Sequence, residues 1–396
     1  MSARTLPPTP RRTRNHPRRW SRLSRGSVLV VVMVTLVFAA MALMTFMEKA
    51  TNDLLVDHRD VLARRLRKEA YSALDVTLGV LEDFRAADNG LRSPAEGWGN
   101  PLEFAGYTPG EGRRIEIAFE DESGKISLPH ANVEVLKALF TSWDIPQGDA
   151  DELADALMGW MRPDHIYTTT VTPDYEQSAL PFQAPARPLR SYAELAAIDK
   201  VREFFHDANG RPNEYWRRFV ASVSLLDFKT TNLNGARPEA LAAIGRFDPT
   251  QQQSLTDFRL GRGAFEAKGP GYFENAGQAA EIIGPGGDAA AFGTTISALR
   301  IIVTVFEGKS EFRVAAVVTW GNAAKTVRET AGAQRGQAAG AAQSAAQKQV
   351  APNAGQQSAA AAQQAAARDL RYPFTLLEIR ENDEIPAAPT PPDVTP

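Results

Sequence analysis

The chain has 396 residues, 43% of them hydrophobic, with 44 Lys and Arg against 47 Asp and Glu. That is ordinary for a folded chain and leaves room for two or three compact domains; the absence of cysteine excludes a disulfide framework, a thiolate metal site and a thiol nucleophile. Eight arginines precede Ser27, and without them the net charge falls from −3 to about −11, which argues against non-specific nucleic-acid binding because that requires phosphate neutralisation.

The first element follows those arginines. From Ser27 to Met47 no charged residue occurs, and the run matches the ~20 apolar residues that span a bilayer better than the ~7–15 of a secretory signal. Arg4, Arg11, Arg12, Arg14, Arg18, Arg19, Arg22 and Arg25 hold the N-terminus on the cytoplasmic side. Beyond Glu48 the pattern continues as a helix to about Ala87, with Leu55, Leu62, Leu66, Leu74, Leu78, Leu81 and Phe84 on one face. Such a helix is roughly 90 Å long at ~1.5 Å per residue, and its stripe predicts packing on a sheet.

The strands of that sheet are split along the chain. "RRIEIAFED" alternates at Ile115, Ile117 and Phe119. "ISALRIIVTVFEGKSEFRVAAVVTW" reads as two strands joined at Glu307-Gly308-Lys309, and "YPFTLLEIRE" at 372–381 reads as a last strand. Between them, residues 129–290 are mostly helical. Ser191-x-x-Glu194, Asn275-x-x-Gln278 and, more loosely, Asp149-x-x-Glu152 resemble capping boxes, and Pro238 opens a helix where its missing N–H is harmless.

The predicted fold is therefore α+β: a long N-terminal transmembrane helix on a small antiparallel sheet, interrupted by a large inserted helical domain with two helix-hairpin-helix or SAM-like modules. The divisions are a basic leader at 1–26, the membrane part of the helix at 27–47, and the rest of the helix with the first strands at 48–128. The helical domain at 129–290 and the remaining strands at 291–322 and 370–385 follow. Residues 323–369 form an Ala/Gln/Gly-rich insertion, and 386–396 a Pro-rich tail.

No catalytic signature emerges. His58, His130, His165 and His206 lack HExxH spacing, and there is no GxSxG, SxxK or GxxxxGK[ST] motif; no enzyme is expected. Asp164, Asp174 and Glu176 share a loop, and oxygen ligands on a flexible loop are what calcium requires, but the EF-hand glycine and terminal glutamate are missing, so a solvated acidic loop fits better. "NLNGARPEALAAIGRFDPTQQQSLTDFRLGRGAF" outlines two helices around a turn, as in modules that hold DNA phosphates on backbone N–H groups. Its turn holds Gly245-Arg246-Phe247-Asp248-Pro249, with an aspartate where a phosphate belongs. That favours a protein-packing version and no nucleic acid.

Four segments, in order, carry a family resemblance over Arg25 to about Trp320: "SRGSVLVVVMVTLVF"; "DESGKISLPHANVEVLKALF" with "ADELADALMGWMRPD"; "PDYEQSALPFQAPARPLRSYAELAAI"; and "NLNGARPEALAAI". The chain resembles the K-type minor pseudopilins of type II secretion systems, also called general secretion pathway protein K. The resemblance implies a single-pass inner-membrane protein with its bulk in the periplasm, cut by the prepilin peptidase between Gly26 and Ser27. The fifth mature residue is Val31, where most pilin-like subunits carry glutamate. K-type proteins share that absence and are thought to cap the pseudopilus with the I-type and J-type minor pseudopilins, above the major pseudopilin, touching secreted substrate or the outer-membrane channel. Some members carry calcium in acidic loops, which here implies Asp164, Asp174 and Glu176. The alternatives are a type IV pilus minor pilin and a membrane-anchored helix-hairpin-helix DNA receptor.

Overall fold

A computed structural model of the protein describes residues 25–169, 175, 182–268, 271–328, 371–372 and 374–382. The arginine leader up to Ser24, most of the Ala/Gln/Gly-rich stretch and the Pro-rich tail lie outside the described residues. Helix α1 (Arg25–Asp88) begins the description. The chain divides after Ala63 into two units, taken separately.

In the first unit, α1 is long and apolar enough to cross a membrane, with a mean hydropathy of 2.7 over its most apolar 18 residues and none of them buried. Its few hydroxyls are silenced locally, since Thr35 and Thr45 donate to the carbonyls of Val32 and Ala42 one turn back. No polar side chain in the apolar run is thus left to face hydrocarbon unpaired.

The second unit begins at Arg64. Here the one-sided stripe is real but shorter than the sequence suggests: Leu66, Leu74, Leu78 and Leu81 are buried, with Ala70, Ala73 and Thr77 filling the same face, while Leu55 lies in the exposed part of the helix. After α1 come a single turn, α2 (Pro101–Phe104), and strand β1 (Arg113–Asp121). Trp98 is completely buried, its ring 5.0 Å edge-on to Phe119 and its Nε1 donating to Glu96.

The chain then leaves the sheet. Strand β2 (Ile126–Ser127) leads into α3 (Val133–Thr141), α4 (Gln147–Met161), α5 (Asp199–Phe205) and α6 (Glu214–Ser222). Strand β3 (Val223–Ser224) pairs in parallel with β2, and α7 (Pro238–Gly245), α8 (Pro249–Leu260) and α9 (Ala276–Ile283) complete the insertion. One hydrophobic cluster gathers Leu139, Phe140, Trp143, Leu157, Phe205 and Phe219, and another gathers Leu241, Phe247, Leu255, Phe273 and Phe292. Helix α7 belongs to both: Ala240 and Ala243 face the first cluster and Leu241 the second.

The chain returns as β4 (Ala298–Glu307) and β5 (Ser310–Thr319), a hairpin whose two-residue loop needs the left-handed Gly308 at φ 60°. Strands β6 (Arg371–Tyr372) and β7 (Phe374–Glu381) finish an antiparallel sheet of order β1-β4-β5-β7-β6. Strand β5 shows no alternation because both its faces are covered: Val317 packs with Phe228, Ala298 and Ala324 on the face nearest the insertion. Leu377 of β7 is an extra residue opposite Val317–Val318, a bulge in the strand.

Three local expectations are corrected. Helix α4 starts at Gln147 after Pro146, so Asp149 sits inside its first turn and is no cap. Ser191 caps a 3-10 helix, Tyr192–Ala197, and Glu194 accepts from the Arg190 amide rather than closing a box. Asp248, read as an obstacle to phosphate, is the N-cap of α8: it accepts from the Gln251 amide while Gln251 accepts from its own.

Candidate functional site

The sequence-derived residues are placed as follows. Gly26 and Ser27 lie in the first turn of α1, and Val31 is exposed in its apolar run. Asp164 is exposed just beyond α4, whereas Asp174 and Glu176 lie outside the described residues. The neighbouring acid, Asp155, is fully buried and saturated. Its carboxylate accepts from the amides of Thr168 and Thr169, both at 2.7 Å, and from the Thr168 hydroxyl, with His165 Nε2 at 3.1 Å. Burial opposes its charge, but those donors outweigh it and hold the carboxyl below its usual range. Among the described residues no group of three or more His, Cys, Asp or Glu could hold a metal ion. The described part of the loop therefore does not supply a calcium set.

The densest polar chemistry lies where the insertion leaves and rejoins the sheet. The register aligns Glu120 of β1, Arg300 of β4, Val317 of β5 and Glu378 of β7 in one row. Arg300 donates to Glu122 at 2.7 Å and lies 3.6 Å from both Glu120 and Glu378. Lys125, itself buried, bridges Glu120 at 3.0 Å and Glu122 at 3.2 Å, and Arg237 reaches Glu120 at 2.7 Å. Burial works against the charge on Glu122, but Lys125 and Arg300 outweigh it and bring its pKa from 4.5 to about 2. Burial of Asp121, only partly offset by Ser123 and Asn232, instead raises its pKa from 3.8 to about 6.

Sequence reading missed that Asn232 and Asn234 in "NLNG" are latches. Asn232 donates through Nδ2 to Asp121 at 2.6 Å and to the Arg92 carbonyl at 3.1 Å, and its own amide donates to the Ser123 carbonyl. Asn234 donates to the carbonyls of Phe273 and Thr294 and accepts from the Phe273 amide. Glycine is required where these backbones meet: a Cβ on Gly124 would lie 2.2 Å from the Gly235 carbonyl oxygen. Arg259, largely buried, closes the turn by donating to the carbonyls of Leu233, Asn234 and Ala236. Beside this seam lies a cleft of about 370 Å³ with Glu122 and Arg300 in its lining, bounded by β7 on one side and by Tyr192 and Leu225 on another. The Tyr192 hydroxyl donates to the Val223 carbonyl, and burial, reinforced by Glu122, raises its pKa well above the ordinary value.

Comparison with known proteins adds three findings. Residues 118–205, from within β1 to the end of α5, match the family model of the type II secretion system (T2SS) protein K. Among solved structures, the GspK-GspI-GspJ complex from the enterotoxigenic Escherichia coli type 2 secretion system contains a chain 15% identical in sequence, with a TM-score of 0.46, covering 66% of this chain and 95% of that one. No curated protein matches the sequence. The resemblance read from the sequence is thus borne out over residues 118–205.

Proposed function

We propose that this chain, whose residues 118–205 match the type II secretion system protein K family, is a minor pseudopilin: an assembly protein anchored by one helix in the inner membrane, with its bulk in the periplasm. The observation that carries the reading is that matched stretch, because it contains the splice of the helical insertion into the sheet together with the first helical core. The exposed apolar helix at the N-terminus supports it independently.

Prepilin peptidase would cut between Gly26 and Ser27, removing the eight-arginine leader and leaving the apolar helix on the protein. With Val31 at the fifth mature position, no carboxylate is carried into lipid, where it would need a partner to offset its burial. A subunit without that carboxylate has no need of a partner's N-terminal amine, and a large side domain is accommodated more easily at a filament tip than within a stacked shaft. The chain would therefore cap the pseudopilus with I-type and J-type minor pseudopilins, start the filament above the major pseudopilin and contact the secreted substrate or the outer-membrane channel.

The test is the mass of the mature N-terminus recovered from membranes, with and without Gly26→Leu. A chain beginning at Ser27, and an unprocessed variant, are expected. Retention of the leader, or cleavage after Met47, would overturn the reading. Co-purification with I-type and J-type subunits, rather than with type IV pilus components, separates the two filament assignments.

A further inference from the structure

The edge of the sheet at β7 is open. Strand β6 pairs only with Phe374 and Thr375, so Leu376–Glu381 are bonded to β5 on one side and to no strand on the other. Alternate backbone groups of such an edge point outward, a ready template for another strand. The cleft runs along this edge, with Leu377, Glu378 and Arg380 on the β7 side and Arg190, Tyr192 and Leu226 on the wall facing them.

The charge of the cleft is selective. Four arginines, Arg190, Arg300, Arg328 and Arg380, line it against two glutamates, Glu122 and Glu378. Glu122 is neutralised by Arg300 and Lys125, and Glu378 by Arg300 and Arg380. Arg190 and Arg328 are exposed, and their guanidinium groups make no hydrogen bond or ion pair among the described residues. Unpaired guanidinium groups beside an open strand edge, on a chain that is acidic after its leader, favour carboxylates through charge-assisted, bidentate hydrogen bonds.

We infer that the cleft between β7 and the Leu189–Tyr192 segment binds an extended acidic peptide segment of a partner protein, added as a strand along Leu376–Ile379 with its carboxylates on Arg190 and Arg328. Its volume falls in the ~300–1,000 Å³ range of ligand pockets, enough for a short segment whose alternate side chains enter the cleft while the others face solvent. Backbone pairing would supply register and the arginines would supply sign selection.

The experiment uses the full chain in detergent micelles. Fluorescence anisotropy is measured with a labelled (Glu-Val)4 peptide and its (Lys-Val)4 counterpart, on the wild type and on an Arg190→Glu/Arg328→Glu variant. Both sites are exposed, and an unchanged thermal melt establishes that the variant is folded. The acidic peptide should bind, bind more weakly as salt rises, lose at least tenfold in the variant, and slow hydrogen exchange at Leu376–Ile379. No binding, equal binding of the lysine peptide, an unchanged affinity in the variant, or no exchange protection at β7 would each overturn the inference. Because the readout is peptide binding, it is independent of leader processing and can fail while the pseudopilin assignment stands.

Discussion

Replacing Arg300 with methionine isolates the ionic row at the seam. Glu122 is only 2% exposed and would keep Lys125 alone, while Glu120 would keep Lys125 and Arg237. Breaking a buried pair from one side typically costs about 3–5 kcal/mol. The fall of the Glu122 pKa from 4.5 to about 2 gives a comparable figure, roughly 3 kcal/mol at ~1.4 per tenfold, shared between Lys125 and Arg300. Since Lys125 remains, the expected loss for Arg300→Met at pH 7 is about 2–3 kcal/mol. The sign with pH follows from the depression: this stability is fully present above pH 4.5 and is lost as pH falls toward about 2. The loss caused by Arg300→Met should therefore shrink on acidification, and adding Glu122→Gln should recover part of it at pH 7. Urea unfolding of the detergent-solubilised full chain, followed through the buried Trp98, Trp143 and Trp160, measures this. A loss under about 1 kcal/mol, or the same loss at pH 7 and pH 3, would refute the reasoning.

Further predictions concern other parts of the molecule. Asp121 is perturbed in the opposite sense, so its burial penalty is relieved as pH falls from about 6 toward 3.8; stability should rise over that interval, and Asp121→Ala should abolish the rise in acid-titrated urea melts. Asp155→Ala leaves the Thr168 and Thr169 amides without their shared acceptor, a loss of about 2–3 kcal/mol, seen as faster hydrogen exchange at both. Trp98→Ala opens a cavity against Phe119 and frees Glu96, lowering stability by about 3–5 kcal/mol in the same urea assay. If Asp164 ligates calcium together with Asp174 and Glu176, millimolar calcium raises the melting temperature and Asp174→Asn removes the rise; a melting temperature indifferent to calcium and to chelator rejects that ligand set.

What could be read from the sequence had short-range causes. Ile115, Ile117 and Phe119 alternate because β1 has one covered face, and Glu307-Gly308-Lys309 marks a turn because only a residue tolerant of positive φ fits there. The seam was not readable, because each latch finds its partners far along the chain: Asn232 meets Arg92 and Asp121, and Asn234 meets Phe273 and Thr294. A buried, fully bonded asparagine and an exposed one look alike in sequence. The Asp248-x-x-Gln251 box was legible in principle; it was overlooked because the aspartate was weighed against phosphate binding instead of against the next helix's free amides. Asp155 gave no signal at all, since its donors belong to a loop whose path only the fold determines.

The entry and exit of the helical insertion lie side by side. Asp121 is opposite Leu299 in the β1–β4 ladder, and the Ser123 hydroxyl accepts from the Ser297 amide across a sequence separation of 174 residues. A hairpin loop of a few residues would close the same gap, so the sheet does not depend topologically on anything between those two points. The insertion is a cassette at a ready-made graft junction: exchanging or shortening it changes what the molecule displays at one end while the strand order stays as it is. Lineages could enlarge or remodel that cassette without re-solving the scaffold, and a designer could use the same splice to present a foreign domain there.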